Sequence, residues 1–196
     1  KRLNAYRLFC GLPTDVALDP EYCEYCDAGA KLLVKVNKLE HYPKNPGLPE
    51  DEYQKGYHGT SNSNLHCSSM PGAQLTPRSV DAYMFDSDAS NINVLGHRRW
   101  CLNPKMAKTG FGDSGNFSAM YSTDKSREEE VDFDFIAFPT RGLTPINYFS
   151  PKHAWSVSFN PKKYQTSDMA DVTVNVYPLS SGGKVPVLKK SKKPLK

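Results

Sequence analysis

NVLGHRRWCLNPKMAKTGFG, residues 93–112, is the stretch on which the chain turns from one periodicity to another. Before it, apolar residues recur at helical spacing, and from residue 107 onward they alternate with polar ones. FSAMYS, VDFDFIAF, AWSVSF and DVTVNVY all alternate, the last with Val172, Val174 and Val176 on one face. STDKSREEE, residues 122–130, reads as a charged connector between the first two. Helices first and strands afterward argue against a repeated βαβ unit and predict an α+β fold, a sheet covered by the earlier helices.

Upstream, Leu3, Tyr6 and Cys10 mark a short first helix that Gly11 and Pro13 stop. Asp19 is placed to cap a second helix with Pro20 at its first position, acids in the opening turns, and Lys31, Lys35 and Lys38 toward the end. Its apolar stripe takes in Cys23, Cys26, Ala30, Leu33, Val36 and Leu39, and Pro43 forbids continuation much past Tyr42, leaving Glu40 and His41 at the helix exit. Residues 43–75 hold Pro43, Pro46, Pro49 and Pro71 with several glycines and no sustained period, so a long irregular stretch is expected. Thr76 and Pro77 then open a helix with Val80, Tyr83 and Met84 on one face, ending in the polar run 86–90.

The 196 residues carry 25 Lys+Arg against 21 Asp+Glu, a net charge of +4. Six of those cations and none of the acids lie in residues 184–196, which leaves 19 against 21, or −2, for residues 1–183. A body this near neutrality offers no large positive face for duplex nucleic acid, and the basic tail reads as a solvated exit or linker, with an arm for an anionic surface as the alternative. No apolar run approaches the roughly 18 residues of a membrane span, and no signal peptide remains at the start, which opens inside a helix pattern. Length and composition fit one domain over 1–183, with 131–183 either extending its sheet or forming a small β lobe.

Among side chains able to do chemistry, His97 follows Gly96, a residue that permits close approach, and precedes Arg98 and Arg99, which can fork onto carboxylates such as Asp86 or Asp88. Arg98, Arg99 and Trp100 read as architectural. His41 at a helix end either donates to the last carbonyls or serves a site. Tyr42, Tyr53 and Tyr57 either line a groove or cover one. His58, His66 and His153 receive no role. The Cys23/Cys26 pair has no second pair to complete a zinc site, and no G-x-S-x-G elbow marks a nucleophile.

GHRRWCLNP followed by GFG resembles the second histidine motif of the CAP superfamily, the cysteine-rich secretory, venom-antigen and pathogenesis-related proteins, in its bacterial SCP-like form. LNAYRLFCGLP resembles the family's opening N-x-x-R helix, VNKLEHYP its first histidine segment, and SNSNL the segment before the third helix. The match covers about residues 3–112, and its specificity lies in the order of the four motifs.

The resemblance implies an α-β-α sandwich with a central antiparallel sheet, and a cleft in which His41 and His97 face each other. Two acids accompany them in many members and help hold a divalent metal such as zinc. Here Ser63 stands where the first acid belongs, and Asp86 is the candidate for the second, with Asp81 the alternative. A secreted or cell-surface location follows from the resemblance, and with it one or two disulfides among five cysteines, Cys67 with Cys101 and Cys10 with Cys23 or Cys26 being the candidate pairs. The expected function is binding of a lipid, sterol, carbohydrate or protein through His41, His97, Ser63, Tyr42, Tyr57 and Trp100. The enzyme alternative is a metal-dependent hydrolase using His41 and His97 with Asp86 or Glu40 as base, and a further alternative is an interaction domain acting through its basic tail.

Overall fold

The computed structural model describes residues 1–69, 75–142 and 144–164. Three layers form an α+β sandwich. The helices are α1 (Arg2–Phe9), α2 (Pro20–Val36), α3 (Glu50–Ser61), α4 (Leu75–Phe85) and α5 (Gly96–Cys101). The strands are β1 (Ala17–Leu18), β2 (Ser63–Cys67), β3 (Lys108–Thr109), β4 (Phe111–Ser114), β5 (Phe117–Tyr121), β6 (Phe135–Phe138) and β7 (Ser156–Phe159). The central sheet is antiparallel in the order β2-β5-β4, while β1 and β3 make a short parallel bridge.

Alternation along β2 and β5 divides the core in two. Leu65, Phe117, Ala119 and Tyr121 pack with Cys26 and Leu33 under α2. Met120 faces the other way, into a larger cluster with Leu3 and Tyr6 of α1, Val80, Tyr83 and Met84 of α4, and Cys101 of α5. The predicted stripe of α2 is buried at Cys26, Ala30 and Leu33, whereas Leu39 is exposed. Asp19 caps that helix as its position suggests, accepting from the N–H of Glu21 at 3.0 Å and of Tyr22 at 3.3 Å.

The helix stops earlier than Pro43 requires. Asn37 adopts a left-handed conformation and closes the end with backbone bonds to Leu33 and Val34, so His41 sits in the segment beyond the helix and not at its exit. Of the stretch expected to be irregular, residues 50–61 and 63–67 are regular, forming α3 and β2. Alpha 3 buries Gly56, Gly59 and Thr60 in place of an apolar stripe.

The GFG of residues 110–112 is a packing device. A Cβ on Gly110 would come 2.2 Å from the Tyr22 carbonyl carbon, and one on Gly112 2.2 Å from the Asp27 nitrogen, so the two glycines let α2 lie directly on the sheet. Gly96, by contrast, has open space around it, its nearest neighbour being Val94 at 4.0 Å, and no close approach depends on it.

Beyond the sandwich, β6 and β7 form a separate two-stranded antiparallel sheet and do not extend the central one. Ile136 and Phe138 plug it into the α1/α4 cluster. The alternating segment at 171–177 and the basic tail at 184–196 lie outside the described residues. No helix among the described residues is long and apolar enough to cross a membrane.

All five thiols are free. Cys26 packs under α2 while Cys101 and Cys10 belong to the opposite layer, and the strand alternation turns Cys67 away from Cys101. Neither candidate pair has its partners on one side of the sheet. Burial pushes Cys10, Cys26 and Cys101 up to about 12, which makes them inert core residues at neutral pH.

The charged connector is only partly solvated. Asp124 is buried and accepts from the N–H of Ala107 at 2.8 Å and of Lys108 at 3.0 Å, from Ser126 Oγ at 3.1 Å and from Tyr22 Oη at 3.2 Å. Burial alone would raise its carboxyl, yet the backbone donors outweigh it and hold the group below the usual carboxylate range. A carboxylate depressed in the folded state stabilises above the unfolded value near pH 3.9 and loses that contribution as pH falls through the folded value. Asp124→Ala is therefore expected to cost about 2–4 kcal/mol at pH 7. In denaturant melts between pH 2 and 6, Asp124→Asn should lose stability less steeply below about pH 4 than the parent.

Candidate functional site

Asp86 and His97 are brought together by the loop between α4 and α5. Asp86, at φ 41°, and Leu95, at φ 51°, are left-handed residues at its two ends, and for a leucine that conformation is uncommon. Asp88 stiffens the turn by accepting from the Ser90 hydroxyl, from Asn91 Nδ2 at 2.9 Å and from the Ser90 N–H at 3.0 Å, contacts that draw its carboxyl down to about 2. The chain thus returns the first turn of α5 to the end of α4, and His97 Nδ1 meets Asp86 Oδ1 at 2.9 Å. Asp86 Oδ2 accepts from the Arg98 N–H at 3.3 Å.

Exposure separates the roles. The Asp86 side chain is 1% accessible and that of His97 is 23%. A carboxylate can only accept, so Nδ1 of the neutral ring carries the proton and Nε2 keeps its lone pair. Tyr83 stacks on the imidazole at 5.6 Å between centroids, and Asn64 Nδ2 donates to the His97 carbonyl at 2.9 Å. The arrangement is a fixed imidazole with a buried carboxylate behind it and an acceptor nitrogen in front.

His66, on the same face of β2 as Asn64, belongs to this neighbourhood. Its ring meets Tyr83 edge-on at 6.4 Å. Burial first, and the neighbouring imidazole of His97 second, lower its tendency to protonate. Sequence reading passed over His66 because it treated the segment as irregular; once SNLHC is a strand, period two puts Asn64 and His66 together on one face.

His41 lies in a different setting. Its Nδ1 donates to the Thr60 carbonyl at 2.9 Å, and Thr60 Oγ1 returns a bond to the His41 carbonyl at 3.0 Å. The ring therefore donates to a last-turn carbonyl, but of α3 and not of its own helix. Tyr42, Tyr57 and Tyr53 continue from it as a chain of rings about 6 Å apart, with Tyr42 exposed and Tyr53 Oη anchored on the Pro43 carbonyl. No hydrogen bond, ion pair or ring contact among the described residues joins His41 to His97.

The remaining site candidates separate further. Ser63 is buried beneath α2 with its Oγ 3.5 Å from Cys26 Sγ, on the strand face opposite Asn64 and His66. Asp81 is held by Arg2 Nε at 2.6 Å and Tyr6 Oη at 2.8 Å, and Glu40 pairs with Lys38. Trp100 turns toward a groove beside β7.

Arg98 is architectural as expected, but its guanidinium bonds carbonyls and a hydroxyl in place of Asp86 or Asp88. The N-x-x-R helix is also a clamp: Asn4 Nδ2 donates to the Val16 carbonyl, and Arg7, fully buried, donates to Pro13, Cys101 and Asn103 carbonyls at 2.8–3.2 Å.

A resident zinc needs three or four ligands. Among the described residues no group of three His, Cys, Asp or Glu is placed to hold a metal, and Asp86 spends its oxygens on His97 and Arg98. The metal set of His41, His97 and Asp86 is therefore not assembled. Compared with known proteins, the chain matches no family model, no curated protein and no solved structure.

Proposed function

We propose that the chain is a secreted CAP-type binding domain in which His97 is the polar anchor of a ligand site and catalysis is absent. The observation that carries the reading is the Asp86–His97 pair, which fixes a partly exposed imidazole with Nε2 as hydrogen-bond acceptor. An acceptor nitrogen is suited to a hydroxyl, so of the lipid, sterol, carbohydrate and protein ligands compatible with the resemblance, the hydroxylated ones, sterols and carbohydrates, fit best. The order of the four motifs supports the family assignment. The three-layer α+β sandwich is in keeping with it. Tyr83 supplies an aromatic wall, and no serine or cysteine stands within bonding distance of His97 among the described residues.

His97→Ala should leave the far-ultraviolet circular dichroism unchanged and lower affinity for a bound sterol or oligosaccharide by about tenfold, the worth of one hydrogen bond to a fixed acceptor. Calorimetric titration against a panel of both ligand classes makes the measurement. An unchanged affinity in His97→Ala would remove the site from binding.

The same Asp86–His97 geometry favours a second reading, a hydrolase in which His97 takes a proton from water while Asp86 orients the ring. Turnover of an ester, peptide or glycan that falls at least a hundredfold in both His97→Ala and Asp86→Asn would replace the binding reading with this one. Zinc-dependent turnover, lost in His41→Ala as well as His97→Ala, would restore the metal hydrolase.

A further inference from the structure

A groove of about 520 Å³ runs between α5 and the β6–β7 sheet, on a side of α5 that the His97 site does not use. Its walls include Trp100, Phe133 and Ile136, with Arg99 and Lys125 beside them, and no aspartate or glutamate is among its lining residues. The volume lies within the roughly 300–1,000 Å³ of small-molecule sites.

The two cations are free for a ligand. Both are exposed, and neither has an ion pair with an acid among the described residues. Lys125 Nζ stands 5.9 Å from the Trp100 ring centroid, which holds the ammonium over the apolar wall. Arg98, which also lines the groove, is different: its guanidinium is committed to α4 and to residues 154 and 156, so it forms a rigid floor.

We propose that this groove binds a single-chain apolar carboxylate of the fatty-acid class, its head between Arg99 and Lys125 and its chain along Trp100, Phe133 and Ile136. Charge complementarity chooses the occupant. A neutral chain would gain only the apolar wall, whereas an anionic head placed beside two unpaired cations at the edge of a low-dielectric surface gains both terms. The inference does not rest on the role of His97.

The test uses the full chain and dodecanoate below its micelle concentration, followed by equilibrium dialysis. Saturable one-to-one binding is expected. It should tighten about fourfold for each methylene from octanoate to dodecanoate, the factor corresponding to about 0.8 kcal/mol per buried methylene. Binding should weaken at least tenfold for methyl dodecanoate, and by as much in the Arg99→Ala/Lys125→Ala double variant, whose exposed positions leave the fold unchanged by circular dichroism. Any of these results overturns the proposal: no saturable binding; equal affinity for acid and ester; or unchanged affinity in the double variant. Adsorption to anionic vesicles without uptake of free dodecanoate would assign the cations to a membrane surface and equally overturn it.

Discussion

Replacing Gly112 with alanine is expected to cost at least about 3 kcal/mol, although it adds a single methyl group. On β4, Gly112 pairs with Ala119 and faces α2, where the added Cβ would stand 2.2 Å from the Asp27 nitrogen and 2.4 Å from the Cys26 carbonyl carbon. Both are backbone atoms of a 17-residue helix whose other contacts, Cys26 and Leu33 against Leu65 and Phe117, fix its height above the sheet. No rotamer change can make room, so the helix must lift and the packing beneath it must loosen. For a chain of this size the loss corresponds to roughly 6–12 °C in melting temperature. Gly96→Ala is the control, since its nearest neighbour is 4.0 Å away and its φ is not positive; it should be neutral or gain up to about 1 kcal/mol from helix propensity. Thermal melts of the two variants measure the difference, and equal melting temperatures would show that α2 does not rest on the glycines.

That contrast also explains what could be read in advance. Where burial is done by large apolar side chains at a regular period, as along α2, α4 and β5, the elements were legible, and the Asp19 cap followed from side-chain chemistry alone. Alpha 3 was not legible because it packs through what it lacks: a Cβ on Gly59 would meet the Tyr25 carbonyl oxygen at 1.9 Å, so the helix approaches α2 backbone to backbone with no apolar stripe to betray it. With α3 hidden, β2 lost its context, and His66 with it. The end of α2 was misplaced for a related reason, since a left-handed asparagine ends a helix as firmly as proline does but leaves a weaker signature. Of the candidate site, Asp86 with His97 was within reach of the local sequence, 11 residues apart on either side of a polar turn. The facing of His41 and His97 depended on tertiary placement, which four short motifs imply only through resemblance.

Arg98→Met is expected to cost about 4–5 kcal/mol and to undock the β6–β7 sheet before the rest of the molecule unfolds. The guanidinium is 1% exposed and spends its donors on four partners: Nε on the Met84 carbonyl at 2.8 Å, Nη2 on the Phe85 carbonyl at 2.9 Å, and Nη1 on the Ala154 carbonyl at 2.7 Å and on Ser156 Oγ at 3.1 Å. It thereby serves two carbonyls at the end of α4, which have no partner of their own in the helix, and ties them to the segment that opens β7. Its carbon also lies 4.6 Å from the Phe138 ring centroid, against β6. Methionine can fill the volume but cannot donate, so the Met84 and Ala154 carbonyls lose their donor, each costing about 1–3 kcal/mol, while the Phe85 carbonyl keeps only the Ser87 hydroxyl. Burial draws the guanidinium down to about 10, partly offset by Asp86, so it remains charged at pH 7 and the variant removes a cation together with its hydrogen bonds. Arg98→Lys keeps the charge but cannot span both elements, and should recover less than half of the loss. Hydrogen exchange separates this from a uniform weakening: amides of 135–138 and 156–159 should exchange at least tenfold faster in Arg98→Lys while those of β5 keep pace with global stability. Because His97 precedes Arg98 on a six-residue helix, the same substitution should loosen the Asp86–His97 bond, and affinity at the proposed His97 site should fall with the docking of β7. An Arg98→Lys protein whose β6–β7 amides remain protected would show that the sheet is held without the guanidinium, by Ile136, Phe138 and the Ala154 N–H bond to Ser87, and that α5 needs no clamp to present its histidine.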